Sequence, residues 1–380
     1  MDRVTPSQEV RANPWLDGVR ALAIVLVLIR HGQRELAARL GGDPGIAENI
    51  ALNGWIGVDL FFVLSGYLIA RHLLRSGLGT PGFAWGRYLA LRALRIAPAY
   101  YAVLLLTAAG IFPMFALPQQ DLGWRIGYHL LFLQDYLPSD INVVFWSLGV
   151  EEKFYLLAPF LILALLACRE AGARFVWLAA AFALPTAIRA ITFLHSDGVL
   201  SYPDFWRAFR SPFHMSLEGF VIGVAIALAQ HEGVVRRSAR VGGWILTVSL
   251  ATLAAWMASD DFMARITLID ITLQPPLVSL LCGAVVLGAV MRNGVRMPAV
   301  LPARAIAKLS YSLYLIHFPL IPMLVAAALP RGLGAFWIAY LAASFAAAGV
   351  LYMVIEKPFL LWKDQIAARS SVLCERRVIA

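Results

Sequence analysis

Residues 16–32 read LDGVRALAIVLVLIRHG, an apolar run that carries Arg20 and His31 within it. Eleven residues separate the two. On an α-helix that is about 1,100° of rotation and about 16 Å of rise, so both side chains share one face at different depths. Charged and titratable groups are costly inside a bilayer and usually face protein or a wet cavity. A strong base and an imidazole stacked on one helical face therefore predict a path into the membrane with chemistry at its end.

The rest of the chain agrees with a membrane setting. Of its 380 residues 60% are hydrophobic and 14% charged, and the mean hydropathy is +0.73. A soluble protein cannot hide that much apolar surface, so the composition predicts a polytopic membrane protein. The net charge of +9 comes from 32 basic and 23 acidic residues. The basic residues cluster between apolar segments, where they act as topology signals and can meet anionic lipid or CoA-like phosphates. No basic face alternates with stacking aromatics, which argues against nucleic acid as a partner. Cys168, Cys282 and Cys374 lie far apart, so no disulfide framework and no metal set is expected. The polar N-terminus leads into apolar sequence without a small-residue cleavage signal and reads as an uncleaved first span.

Apolar segments long enough to span fall near 14–33, 52–74, 95–116, 144–168, 173–194, 210–230, 241–258, 271–291, 303–328 and 333–356. With the N-terminus inside, arginine-rich loops such as 71–95, 231–240 and 292–304 all fall on the cytoplasmic face, as does the basic tail. The opposite loops are acidic or mixed. The stretch 122–137 (LGWRIGYHLLFLQDYL) is short for a span, and counting it would invert every later loop. It is placed as an outer re-entrant or interfacial segment. The expected fold is thus an all-α polytopic membrane protein of about ten transmembrane helices plus that segment. The expected organisation is a cytoplasmic tail over 1–13, a membrane domain over 14–358 and a cytoplasmic tail over 359–380.

Five stretches line up in order: Arg20–x10–His31, GVDLFFVLSGYLI at 57–69, LRALRIAPAYY at 91–101, WSLGVEEKFYLL at 146–157 and SYSLYLIHFPL at 310–320. LEGFVIG at 217–223 and EKP at 356–358 are weaker echoes. Together, from about residue 14 to about 358, they resemble the acyltransferase-3 family of integral-membrane O-acyltransferases. The resemblance implies an acyl-CoA donor, usually acetyl-CoA, taken from the cytoplasm, and a hydroxyl on a glycan or another acceptor, often at the outer face. Some family members carry an SGNH esterase-like domain. No GDS nucleophile motif occurs here, so transfer is expected within the membrane domain or with a partner.

On this reading His31, about 24 Å along its helix, is the general base for the acceptor hydroxyl. Arg20 either binds CoA phosphates through its guanidinium fork or pairs with Asp17 one turn away. Arg30, beside the histidine, is expected to snorkel outward. Asp59 could fix the His31 tautomer, or serve only as a helix-start acid. Glu151, favoured over Glu152 by the family motif, could take the same role or orient the acceptor. Arg92 and Arg95 share a face and could gather CoA phosphates or anchor the span. Glu152, Trp146, Ser147, Tyr314 and His317 are candidates to line the substrate path. His129, His195 and His214 fall on the outer side within reach of an acceptor. Gly219 and Gly223 form a GxxxG, read as a helix contact.

The chain is therefore expected to be an O-acyltransferase of a bacterial inner membrane with both termini cytoplasmic. No permanently bound cofactor is expected, and acetyl-CoA or another acyl-CoA serves as donor. The expected partners are acyl-CoA, a cell-surface glycan or lipid-linked saccharide, and membrane lipids. A homodimer or a polysaccharide-synthesis complex would fit. A transporter or flippase of an acyl donor or lipid-linked sugar suits the same buried charges, but the inverted repeats that would favour it are not visible. A scaffold in a polysaccharide-export complex is a third reading.

Overall fold

The computed structural model describes residues 13–80, 82–196, 201–262 and 266–367. The two extreme tails and Cys374 lie outside the described residues. Among these, thirteen α-helices occur and no strand. They are α1 (Pro14–Leu40), α2 (Ile46–Leu52), α3 (Ile56–Arg75), α4 (Trp85–Ala108), α5 (Leu122–Leu130), α6 (Trp146–Ala167) and α7 (Ala171–Leu194). They continue as α8 (Tyr202–Phe205), α9 (Glu218–His231), α10 (Ala239–Ser259), α11 (Leu268–Met291), α12 (Val300–Ala328) and α13 (Leu333–Leu351). A π-turn over Tyr352–Glu356 then carries helix on to Ala367, so 359–367 extends the last helix.

Each of the ten apolar segments coincides with one long helix or with α9. Among the described residues, seven helical stretches are long and apolar enough to cross a membrane. The remainder differ for identifiable reasons. α1 carries Asp17, Arg20, Arg30 and Arg34, α6 carries Glu151, Glu152 and Lys153, and α9 has only 14 residues. The stretch 122–137 forms only the short α5 followed by turns, with Tyr128 and His129 buried and Trp124 exposed.

Burial sorts the bundle into centre and rim. The apolar stretch ending in α3 is 83% buried, whereas those of α7 and α10 are 17% and 22% buried. Val176, Trp177, Trp244 and Val248 point away from the protein, as lipid-facing side chains do. α3 packs most heavily on α9, and α1 sits between α3 and α12. Small residues allow this approach. A Cβ at Gly223 would lie 2.3 Å from the Val63 carbonyl oxygen of α3, and one at Gly57 would lie 2.3 Å from the Ala23 carbonyl oxygen of α1. The GxxxG reading of Gly219 and Gly223 as a helix contact is what this geometry shows.

Local chemistry starts the helices. The Asn13 side chain accepts from Trp15 N at 3.1 Å with Pro14 at the first helical position, and Gly41, at φ +66°, ends α1. Prolines inside the helices leave carbonyls four residues earlier without a helical donor. Side chains from other elements fill two of these. Pro319 frees Leu315 O, which accepts from Asn142 Nδ2 at 3.1 Å. Pro159 frees Tyr155 O, which accepts from the Tyr88 hydroxyl at 3.0 Å. These bonds tie α12 to the turn before α6, and α6 to α4.

Candidate functional site

Two cavities open on the face of α1 that carries Arg20 and His31. The distal one, toward the C-terminal end of α1, has a volume of about 420 Å³. His31, Arg30, Arg34, Trp146, Arg210 and Tyr314 are among its walls. The proximal one, toward the N-terminal end, has a volume of about 150 Å³. Arg20, Arg92, Arg95, Ser147, Glu151 and Tyr314 are among its walls. Val58 and Tyr314 line both, so they form the wall between the two. The helical spacing of Arg20 and His31 thus translates into one residue in each chamber.

His31 meets His317. Its Nδ1 lies 3.0 Å from His317 Nε2, and His317 Nδ1 lies 2.9 Å from the Leu313 carbonyl oxygen. The carbonyl can only accept, so His317 Nδ1 carries a proton. In the neutral pair His317 Nε2 then accepts, and His31 Nδ1 donates to it. That leaves His31 Nε2 with a free lone pair, the form a general base requires. His317 is fully buried, and Phe318 packs edge-on against the His31 ring with centroids 5.2 Å apart.

Asp59 and Glu151 are engaged elsewhere. Arg210 Nη1 and Nη2 donate to the two oxygens of Asp59 at 3.1 and 2.7 Å, a buried bidentate pair. The Arg210 guanidinium also lies 5.4 Å from the ring centres of both Trp55 and Trp146. Glu151 accepts from the hydroxyls of Ser65 and Tyr155 in the proximal cavity. Neither carboxylate bonds to His31, whose polar ring partner on a neighbouring helix is His317.

The proximal chamber is cationic at one side. Arg20 reaches Asp17 at 4.0 Å, which in turn lies 3.7 Å from Arg304. Arg95 Nη1 donates to Glu356 at 2.8 Å, and Ser312 donates to the other oxygen of Glu356 at 2.6 Å. The EKP echo therefore joins the π-turn after α13 to α4 and α12. Arg92 shares the chamber and lies 5.8 Å from the Tyr88 ring centre. At the dividing wall the Tyr314 hydroxyl donates to Val144 O at 2.9 Å and lies 2.5 Å from Ser147 Oγ. Glu152 Oε1 is buried without a hydrogen-bond partner among the described residues, and its side chain lines neither chamber.

The other histidines expected on the outer side are held by structure. His129 is fully buried with Nδ1 2.7 Å from Arg125 O, and His195 Nδ1 lies 2.8 Å from Ile191 O. His214, in the short 3-10 turn Phe213–Met215, pairs with the Tyr136 hydroxyl at 2.9 Å. Arg30 does not snorkel outward. It is 4% exposed and lines the distal cavity, because Gly54 lets the turn before α3 close over its side of α1. Arg210, Tyr202 and Trp206, which line the same chamber, were not among the sequence candidates. Asp59, an acid in an apolar segment, demands a buried base, and that requirement points to Arg210. No group of three or more His, Cys, Asp or Glu gathers to hold a metal ion among the described residues.

Comparison with known proteins follows this geometry. The family model described as an acyltransferase domain matches residues 13–353. The peptidoglycan O-acetyltransferase OatA of Listeria monocytogenes is 30% identical over 40% of this chain and 24% of its own length. The putative peptidoglycan O-acetyltransferase YrhL of Bacillus subtilis is 27% identical over 58% of this chain and 34% of its own. This chain thus spans a quarter to a third of those two relatives. The acyltransferase MdmB of Streptomyces mycarofaciens is 27% identical with 93% of this chain and 92% of that protein covered. No solved structure matches. The match runs from the capping Asn13 to the turn before Glu356, taking in both chambers, and the chain belongs to the acyltransferase-3 family.

Proposed function

We propose that the protein is a membrane O-acyltransferase that moves an acyl group, in the simplest case acetyl, from acyl-CoA to a hydroxyl of a cell-surface or exported glycan. The observation that carries this reading is the His31–His317 bond, which frees His31 Nε2 toward the distal chamber. The arginine-rich loops orient the bundle with the N-terminal end of α1 in the cytoplasm. The proximal chamber then takes the donor, with Arg20, Arg92 and Arg95 gathering its phosphates. A pantetheine arm is on the order of the 16 Å rise from Arg20 to His31, so it can bring the thioester to the dividing wall.

In the reaction His31 Nε2 takes the proton of the acceptor hydroxyl as its oxygen attacks the thioester carbonyl carbon. The tetrahedral intermediate collapses with loss of the C–S bond. The proton on His31 passes to the leaving thiolate, giving the ester and free CoA. His317 Nε2 accepts from His31 Nδ1 throughout and steadies the imidazolium, as a carboxylate does in a hydrolase triad. The family, the named relatives and the pairing of a base with a cationic chamber all support this route.

Purified protein in liposomes, given labelled acetyl-CoA and the host's surface glycans, tests it. Wild type should label the glycan and His31→Ala should not. Equal transfer by both would remove His31 from the mechanism. Movement of CoA across the bilayer without transfer would favour a transporter.

A further inference from the structure

The distal chamber holds more positive charge than its own carboxylates neutralise. Four arginines line it: Arg30, Arg34, Arg207 and Arg210. Arg210 is matched by Asp59, and Arg207 by Asp204 at 2.8 Å. Arg30 and Arg34 have no carboxylate within 4 Å among the described residues. The two acids of the same lining are spent on other bases, Glu35 on Arg39 at 2.8 Å and Asp140 on Arg125. The charge of Asp261 acts on Arg30, and the Tyr202 hydroxyl is within hydrogen-bonding reach of its guanidinium.

Arg30 is the telling member. Its side chain is 96% buried, and Nη1 has no hydrogen-bond partner among the described residues. A guanidinium nitrogen left bare in such a place is costly unless a ligand completes it. Arg34 sits one turn further along α1, its guanidinium 4.1 Å from the centre of the Tyr202 ring. Residues four apart on a helix are neighbours, about 5–6 Å between Cβ atoms. One oxyanion can therefore be held by both. His31 follows Arg30 directly in the chain and lines the same chamber. The lining also holds Trp55, Trp146, Tyr202 and Trp206, suited to the faces of sugar rings.

We infer that the acceptor is an anionic saccharide, whose phosphate or carboxylate oxyanion is clamped by Arg30 and Arg34 while a hydroxyl of the same or the next sugar unit is presented to His31. This rests on the transferase reading only for what happens at the hydroxyl. The anion clamp stands on the two arginines and their chamber.

Saturation binding tests the clamp without turnover. Wild-type protein in nanodiscs of neutral phosphatidylcholine would be dialysed against labelled glucose, glucuronate and glucose 1-phosphate, with no acyl donor present. At least one of the two acids should bind about tenfold or more tighter than glucose, and which one does identifies the oxyanion as carboxylate or phosphate. Arg30→Gln and Arg34→Gln should each reduce that preference, and the double variant should abolish it. Arg30→Lys, which keeps the charge and loses the fork, should retain part of it. Arg237→Gln, in a distant loop, should leave it intact. Equal binding of all three sugars, no saturable binding of either acid, or a preference that survives in the double variant would overturn the inference. A preserved preference in protein that transfers no label would instead overturn the transferase reading and leave the clamp standing.

Discussion

His31 and His317, 286 residues apart in sequence, meet ring nitrogen to ring nitrogen at 3.0 Å. The Leu313 carbonyl at the far side of His317 fixes the direction of the shared proton and exposes His31 Nε2. On the proposed mechanism a second imidazole takes the place that a carboxylate has in a hydrolase triad, without adding a buried negative charge.

The first prediction follows from that direction. His317→Ala should lower kcat by about a hundredfold while leaving the KM for acyl-CoA within about twofold, because the base loses its fixed tautomer and the donor chamber is untouched. His317→Gln, whose amide oxygen can still accept from His31 Nδ1, should recover part of the rate. Turnover measured across donor concentrations separates these outcomes. A His317→Ala variant with unchanged kcat would show that the pair is only packing.

Arg92 and Arg95 predict a donor effect of the opposite form. Arg92→Gln should raise the KM for acyl-CoA by about tenfold, the loss of one charge-assisted contact, with little change in the KM for the glycan. Arg95→Gln should do the same and also lower thermal stability, because Glu356 loses its 2.8 Å partner. Steady-state kinetics with each substrate varied in turn decides this.

The Asp59–Arg210 pair should behave as a structural unit. Asp59→Asn leaves a buried guanidinium without its counter-charge and should cost about 3–5 kcal/mol of stability. Arg210→Met alone should cost a similar amount, and Asp59→Leu with Arg210→Met should recover much of the loss. Thermal unfolding in detergent reads all four proteins. Additive losses in the double variant would argue against a coupled pair.

Asn142 gives a sharper test of packing. Asn142→Ala removes the donor to the Leu315 carbonyl that Pro319 leaves open and should destabilise by about 1–3 kcal/mol. The further change Pro319→Ala restores an N–H able to reach Leu315 O and should relieve that loss. Unfolding midpoints of the single and double variants would measure the coupling.

Much of this architecture could be read from local pattern. Hydropathy over some twenty residues located every long helix, and the 3.6-residue period put Arg20 and His31 on one face. The shortness of 122–137 was also legible, since α5 ends at Leu130. Pairings between distant elements were not. Which base meets Asp59, and which ring meets His31, depend on how α3, α9 and α12 seat against α1, and no local period encodes that. Arg30 went astray for the same reason. Its face of α1 meets lipid or protein according to whether a glycine at 54 lets a turn approach, and the helix alone does not record its neighbour.

The wall shared by the two chambers bears on the cell's energy supply. A membrane that stores a voltage cannot tolerate a continuous wet channel, because ions would run down the gradient with each reaction cycle. Tyr314, whose hydroxyl is held on the Val144 carbonyl at 2.9 Å, and Val58 line both chambers and stand between them. On the proposed route, acyl chemistry would cross the bilayer at a wall that Tyr314 and Val58 keep closed between the two chambers.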